Sequence, residues 1–168
     1  MTPMRYTAAL LLAHAVLFTH GALAQAPTPI LSVTGDLPMP LKLTLADLSA
    51  MPRQTAKIPN ANGPDTVYEG VPLFEILKRA GAPNGGSLRG NALASYVLAK
   101  ASDGYQVAFT MGEIDPSFGN QTILVADHRD GAPLSGNQGS LRLVAPNDHE
   151  GARSVRMLET LEFTHLKK

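Results

Sequence analysis

Residues 141–158 contain the side chains best suited to binding an anionic or hydrogen-bonding ligand. An apolar strand pattern ends at Pro146, a polar loop runs to Gly151, and two arginines, Arg153 and Arg156, follow three residues apart. Guanidinium groups and free backbone N–H groups at such a junction can donate to one ligand. The alternative is two solvated arginines on a twisted strand, and spacing alone favours that alternative.

Other polar residues near the arginines are candidates for the same site. Ser154 lies between them, and Asp148 and His149 lie in the loop just before Gly151. His149 is equally compatible with an exposed loop histidine, because nothing in the sequence defines its neighbours.

Three residues upstream of this segment are further candidates. Asp103 and Tyr105 belong to an Asp-Gly-Tyr turn, for which a tight hairpin with a strand aromatic is the simpler interpretation. Tyr68, the aromatic residue before Gly70, is either a core residue or a stacking wall for a flat ligand. The chain has no tryptophan, so such a wall requires Tyr, Phe, His or the plane of an arginine.

Catalytic patterns of other enzyme classes are missing from the sequence. It has no Gly-x-Ser-x-Gly elbow, no phosphate-binding loop and no His-Glu-x-x-His motif. His128, His149 and His165 are not at metal-binding spacing. Because the chain has no cysteine, it has neither disulfides nor a thiolate that could act as ligand or nucleophile. A hydrolase or a zinc enzyme is therefore not supported.

Residues 1–24 have the three parts of a secretory signal peptide. Arg5 is the charged start, residues 8–18 are an apolar run, and Ala22-Leu23-Ala24 is a small-x-small cleavage site. The run is 11 residues long, whereas a membrane-spanning helix needs about 20, so a retained anchor is the weaker alternative. We expect cleavage after Ala24, an extended lead-in over residues 25–29 and a periplasmic protein.

The length and charge of the remaining chain indicate a single neutral domain. Removing 24 residues from 168 leaves 144, enough for one domain with its own core. This part holds 13 Lys and Arg, which is 14 less Arg5, against 14 Asp and Glu. No overall charge therefore attracts nucleic acid or an anionic membrane. We predict one domain over residues 30–168, with no membrane span after cleavage and with local recognition of its partners.

Alternating apolar and polar residues predict strands along most of this domain. They are expected at residues 30–35, 41–45, 53–58, 95–101, 105–110, 122–126, 141–145 and 159–164. A short helix is expected after Thr44, and the strongest helix pattern runs from Val71 to Gly81 with Pro72 in its first turn. Residues 113–120 are expected to be irregular or to form one helical turn. Many strands and few, early helices predict an α+β fold with mixed sheets.

Four motifs in one order resemble the sulfite-oxidase-type molybdopterin-binding domain. Residues 151–158, Gly-Ala-Arg-Ser-Val-Arg-Met-Leu, are similar to that family's Gly-Ala-Arg-x-Val-Lys-Trp-Leu. Residues 68–73 are similar to its aromatic-x-Gly-Val-Pro-Leu helix start. Residues 122–134 and 139–146 are similar to its Leu-Leu-Ala, Asn-Gly-x-Pro-Leu and Gly-x-Pro-x-Arg-x-x-x-Pro series. The resemblance spans residues 30–163 and implies the family's mixed-sheet fold with a pterin pocket.

Three departures from the family pattern change what the resemblance implies about the ligand. The family's enzymes bind molybdenum through a cysteine before the aromatic-x-Gly-Val-Pro-Leu motif, and residues 58–65 contain none. Gln138 stands where the family has His, and Met157 stands where it has Trp. The resemblance therefore implies a pterin held non-covalently, with neither molybdenum nor a covalent cofactor. The matching positions are Gln138, Arg153, Ser154 and Arg156.

Exported domains of this fold without the cysteine resemble periplasmic pterin-binding proteins, some of which act with membrane signalling proteins such as cyclic-di-GMP enzymes. The resemblance thus implies a non-catalytic pterin-binding protein whose partner is the periplasmic part of an inner-membrane signalling protein. Two alternatives are open. One is a molybdopterin-dependent oxidoreductase or a degenerate subunit of one, and the other is an interaction domain with a vestigial pocket.

If Arg153 makes a charge-assisted hydrogen bond to the ligand, Arg153→Ala is expected to weaken pterin binding by about 1.5–3 kcal/mol. A fluorescence titration of both proteins measures the change. Unchanged affinity removes Arg153 from the site.

Overall fold

The computed structural model describes residues 28–119 and 121–166. The expected signal peptide, its cleavage site and most of the lead-in at residues 25–29 lie outside the described residues. In the described part of the chain, no helix has the length and apolar character needed to cross a membrane.

Strands dominate the described part of the chain, as the sequence predicts. They are β1 (Leu31–Gly35), β2 (Leu41–Leu43), β3 (Gln54–Ile58), β4 (Thr66–Pro72), β5 (Tyr96–Ala101), β6 (Gln106–Thr110), β7 (Leu124–Arg129), β8 (Ala132–Pro133), β9 (Arg142–Val144) and β10 (Leu158–Thr164). The α-helices are α1 (Leu45–Ser49), α2 (Leu73–Arg79) and α3 (Met111–Ile114). Short 3-10 turns occur at Gly85–Ser87, Gly90–Ala94, Gly136–Gln138 and Gly151–Arg153. The α+β class with mixed sheets is confirmed.

The strands form two sheets. The first has the order β2-β1-β10-β5-β6, in which β10 runs parallel to β1 and antiparallel to β5. The second has the order β3-β4-β7-β8, with β9 also paired to β7. The predicted hairpin at residues 95–110 is confirmed, because β5 and β6 pair in register on either side of the Asp-Gly turn.

The main core takes residues from both sheets and from α2. Every second residue of β5 is buried, as expected for a strand with one face in the core. Leu73, Ile76 and Leu77 are each 0% exposed, so the apolar face of α2 lies in the same core. Successive residues of β7 alternate between this core and a second cluster that contains Tyr68. Both faces of the second sheet are therefore covered.

Helix α2 begins two residues later than predicted, so the placement of Pro72 in its first turn is wrong. Val71 and Pro72 are the last residues of β4 and pair with β7. The N–H of Leu73 also donates to the carbonyl of Ile123 at 2.8 Å, so the chain leaves the sheet only at that point. The end of the helix is as predicted, since Gly81 adopts the left-handed conformation with φ of +82°.

Capping interactions define the two short helices. Thr44 caps α1 as predicted, because its Oγ1 accepts the Asp47 N–H at 3.1 Å while the Asp47 carboxylate accepts the Thr44 N–H at 2.9 Å. Thr110 and Glu113 form the same pair at α3. The sequence allowed one helical turn within residues 113–120, and the observed helix begins two residues earlier, at Met111.

A β-bulge between β4 and β7 brings polar groups into the second sheet. Glu69 pairs with His128 and the next residue, Gly70, pairs with Ala126, so Asp127 is the extra residue. A Cβ atom on Gly70 would lie only 2.0 Å from the carbonyl oxygen opposite it on β7. The sheet therefore requires glycine at this position.

The extra residue of the bulge, Asp127, is 4% exposed and fully paired. Its carboxylate accepts two hydrogen bonds from Arg53, at 2.6 and 3.0 Å, and one from the His128 Nδ1 at 2.8 Å. Burial alone would raise the pKa of Asp127, but these hydrogen bonds hold it below its ordinary value. The buried carboxylate is thus kept ionised.

Gly70→Ala is expected to lower the free energy of unfolding by about 2–3 kcal/mol, because the new methyl group would overlap backbone atoms that cannot move aside. Urea unfolding followed by circular dichroism measures the change. Gly63→Ala is the control, since its nearest contact is an Asn60 side-chain atom at 3.4 Å. Equal effects of the two substitutions would contradict the steric argument.

Candidate functional site

A cleft opens where the β9–β10 loop meets the β5–β6 hairpin and the turn between β8 and β9. It consists of two adjoining cavities of about 390 and 380 Å³ that share Arg142, Gly151 and Ser154. The hairpin cavity also borders Asp103, Tyr105, Gln138 and Arg156. The loop cavity also borders Tyr68, Asp148 and His149.

Arg142 lies at the centre of the cleft and is held by two neutral side chains. Its Nη1 donates to the Tyr68 Oη at 3.0 Å and to the Gln138 Oε1 at 2.6 Å. The guanidinium carbon also lies 5.2 Å from the centre of the Tyr68 ring, within cation–π range. Within residues 28–119 and 121–166, the Arg142 Nε is the one buried side-chain nitrogen or oxygen without a hydrogen-bond partner.

Two arginines of the cleft have no ion-pair partner among the described residues, although Asp103 and Asp148 also line the cavities. In the described part of the chain, neither Arg142 nor Arg156 forms an ion pair within 4.0 Å. Burial lowers the pKa of the Arg142 guanidinium, and the nearby charges of Arg156 and Arg129 lower it further. An arginine stays protonated despite such a shift. Because these groups repel one another, a bound anion would relieve an unfavourable interaction.

The Asp-Gly-Tyr turn forms one wall of the hairpin cavity. Asp103 accepts the N–H of Tyr105 at 3.0 Å, which is the local bond of an Asx turn. The Tyr105 hydroxyl donates to the carbonyl of Ala152 at 2.6 Å and so connects the hairpin to the β9–β10 loop. The residue remains 47% exposed, so part of it is accessible from the cavity.

The β9–β10 loop contributes polar groups to both cavities. The Ser154 Oγ accepts the N–H of Ala145 at 3.2 Å across the mouth of this loop. Its hydroxyl hydrogen is not used by that bond and can be donated elsewhere. His149 is exposed at the edge of the loop cavity, as its sequence position allowed.

Arg153 is turned away from the cleft towards α3 and β6. Its Nε and Nη2 donate to the two carboxylate oxygens of Asp148 at 2.7 and 2.8 Å, and its Nη1 donates to Glu113 at 2.7 Å. The guanidinium carbon lies 4.9 Å from the centre of the Phe109 ring. The hydrogen bonds to Asp148 and Glu113 raise the pKa of Arg153, and the Arg153 bond lowers the pKa of Asp148.

Of the nine residues predicted for the site, eight line the cleft and Arg153 does not. The structure thus brings together the hairpin, the β8–β9 turn and the β9–β10 loop, although ligand contact stays a prediction for each residue. Direct contact through Arg153 also stays a prediction, but each of its guanidinium nitrogens already has a carboxylate partner.

The residue that the sequence analysis missed is Arg142. No local pattern marks it, because side chains alternate along a strand and Arg142 lies on the face opposite Leu141 and Leu143. A polar residue at such a position is equally expected on a solvent-exposed strand face.

The chain belongs to the oxidoreductase molybdopterin-binding domain family, whose profile matches residues 20–168. The resemblance stated from the sequence is therefore confirmed at the level of the family. A comparison with curated proteins finds no match.

Among solved structures, the chain is similar to the sulfane dehydrogenase SoxCD from Paracoccus pantotrophus, with a TM-score of 0.61 and 22% sequence identity. The alignment covers 81% of this chain and 38% of the SoxCD chain. This likeness supports the sulfite-oxidase-type fold. The chain spans well under two thirds of the length of that relative.

The residues of the cleft do not include a sulfur ligand for molybdenum. The sequence has no cysteine, so the loop between β3 and β4 cannot provide the sulfur ligand expected from the resemblance. In the described part of the chain, no group of three or more His, Asp or Glu residues is arranged to hold a metal ion. By contrast, Arg142 has a buried N–H group without a partner beside the cleft.

The ion pair between Asp148 and Arg153 is expected to make part of the stability depend on pH. The pKa of folded Asp148 lies below its unfolded value of about 3.9, so the stabilisation is present above pH 5 and is lost as the pH falls through the folded pKa. Asp148→Asn should therefore lower the melting temperature at pH 7, and the difference from wild type should shrink as the pH is lowered below about 4. Differential scanning fluorimetry across this range measures both.

The control is Asp65→Asn, in the exposed turn before β4. A difference between wild type and Asp148→Asn that stays constant with pH would contradict the role of the ion pair.

Proposed function

We propose that this protein is a non-catalytic binding protein for a pterin that carries an anionic substituent. The observation that carries the proposal is the environment of Arg142. Its guanidinium is half-buried beside the cleft, has a buried Nε without a partner and makes no ion pair in the described part of the chain. Such a group is unfavourable unless a ligand completes its interactions.

The rest of the cleft suits the ring of a pterin. A pterin is flat and polar, with an N–H edge that pairs with carboxylates and a carbonyl edge that accepts hydrogen bonds. The exposed Tyr105 ring offers a stacking surface, and Asp103 offers a carboxylate at the same wall. Arg156 and Arg142 offer donors to the anionic substituent and the carbonyl edge.

The sequence supports a binding function rather than catalysis. The family's enzymes use a cysteine thiolate for molybdenum, and this chain has none. The polar groups of the cleft also lack a nucleophile paired with a base, because the Ser154 Oγ accepts a backbone N–H and no histidine is bonded to it.

We also propose that the protein works in the periplasm with the periplasmic part of an inner-membrane signalling protein. The signal-peptide pattern of residues 1–24 supports the location. The signalling partner follows from the resemblance to periplasmic pterin-binding proteins. A vestigial pocket in a pure interaction domain is less well supported, because two cavities of about 380–390 Å³ are open at the arginines.

A second candidate function is a molybdopterin-dependent oxidoreductase, or a degenerate subunit of one. The family match over residues 20–168 favours it. In that case the metal would need a ligand other than sulfur from this chain.

Native mass spectrometry, fluorescence and elemental analysis of protein purified from its own periplasm test the proposal. A bound small pterin with blue fluorescence and no molybdenum is the expected result. Stoichiometric molybdenum would favour the oxidoreductase. Protein that carries no pterin after purification, and binds none when titrated with it, would overturn both candidate functions.

Arg142→Ala is expected to weaken binding of an anionic pterin by about 1.5–3 kcal/mol, because the substitution removes the charged donor at the centre of the cleft. Arg142→Lys should weaken binding less, since it keeps the charge and loses the planar fork. The matched control is Arg89→Ala, an exposed arginine whose Nε donates to the carbonyl of Gly86. Fluorescence titration measures affinity, and circular dichroism checks folding. Equal affinities for wild type and Arg142→Ala would remove Arg142 from the site.

A further inference from the structure

We infer that Gln138 sets the charge preference of the cleft by holding Arg142 through a neutral amide oxygen, which leaves the positive charge of the guanidinium for the ligand. This inference rests on the proposed function and deepens it. Gln138 then acts as a positioning residue for Arg142. The cleft should consequently select pterins with an anionic substituent over neutral pterins.

Gln138 is fixed in place from both its backbone and its side chain. Its carbonyl accepts the N–H of Met157 at 2.8 Å, at the end of the 3-10 turn. A Cβ atom on the next residue, Gly139, would lie 2.7 Å from the Met157 Cα, so the two segments are in close contact. The side-chain Nε2 of Gln138 donates to the Asn137 Oδ1 at 3.2 Å. This bond directs the side-chain oxygen, Oε1, towards Arg142.

The neutral partners of Arg142 contrast with those of the other buried or half-buried arginines. Arg53 binds Asp127 and Glu69, and Arg153 binds Asp148 and Glu113. Arg142 instead binds an amide oxygen and a phenol. A neutral acceptor satisfies N–H groups without cancelling the charge, so the guanidinium is oriented and remains attractive to an anion.

A carboxylate at position 138 would differ from the amide in charge and hardly at all in shape. Gln138→Glu would place a negative oxygen about where the Oε1 now lies, 2.6 Å from the Arg142 Nη1. That oxygen would compete with an anionic ligand for the same positive charge. A neutral pterin would be affected far less. A residue with only a packing role or a direct ring contact would not separate the two ligands in this way.

The test compares 6-carboxypterin with 6-hydroxymethylpterin, which share a ring and differ in the charge of one substituent. In wild type, 6-carboxypterin should bind about tenfold or more tightly than the neutral pterin. In Gln138→Glu that preference should fall to less than about threefold, with affinity for the neutral pterin almost unchanged. Gln138→Ala, which removes the support without adding charge, should keep a preference for the anion while weakening its binding.

Inorganic phosphate gives a readout that does not require a pterin. Phosphate should raise the melting temperature of wild type and should not raise that of Gln138→Glu. If wild type binds neither pterin but shows this phosphate effect, the proposed function fails and the role of Gln138 stands. If wild type binds 6-carboxypterin and Gln138→Glu weakens both pterins equally, or leaves both unchanged, the role of Gln138 is overturned.

Discussion

The structure of the cleft depends on a positive charge placed within an apolar strand and left without a carboxylate. Arg142 is half-buried on β9, on the sheet face that also carries Tyr68, where a charge without a counter-ion is unfavourable. The surrounding elements reduce this cost with dipoles and a ring face instead of a counter-ion. The second sheet supplies Tyr68, and the β8–β9 turn supplies Gln138. The Arg142 Nε and the charge of the guanidinium remain available to a ligand. The residues that stabilise these elements therefore also determine the chemistry of the site.

Two arginines near the cleft differ in their hydrogen-bond partners and therefore in what they contribute to the protein. Arg153 is bound to two carboxylates, and the pair with Asp148 connects two residues within the β9–β10 loop. Arg142 has neutral partners and faces the cavities. The same side-chain type thus closes a loop in one place and presents a charge in the other. The difference lies in whether a carboxylate is within reach, as Asp148 and Glu113 are for Arg153.

The sequence predicted eight of the ten strands of the described chain, because their period-two patterns are local. It missed β4, which the sequence analysis took as the approach to a helix, and the two-residue β8. It also predicted the caps at Thr44 and Gly81, which depend on residues three or four positions away. It failed at Pro72, since the pairing of β4 with β7 extends the strand past the residue that otherwise suits a helix start. Arg142 was missed and Arg153 was favoured for the same reason. Whether each arginine is exposed or ion-paired depends on residues distant in sequence, which are Glu113 for Arg153 and Tyr68 for Arg142. No local pattern predicts these contacts.

β10 occupies the middle of the first sheet although it is the last strand of the described chain. It separates the β1–β2 pair from the β5–β6 hairpin, and its parallel pairing brings Ser32 beside Thr160. Contacts between residues so distant in sequence form late and slow the folding of a domain. The loop that lines the cleft comes directly before β10. A chain in which β10 has not yet paired therefore has neither a continuous first sheet nor a completed ligand site.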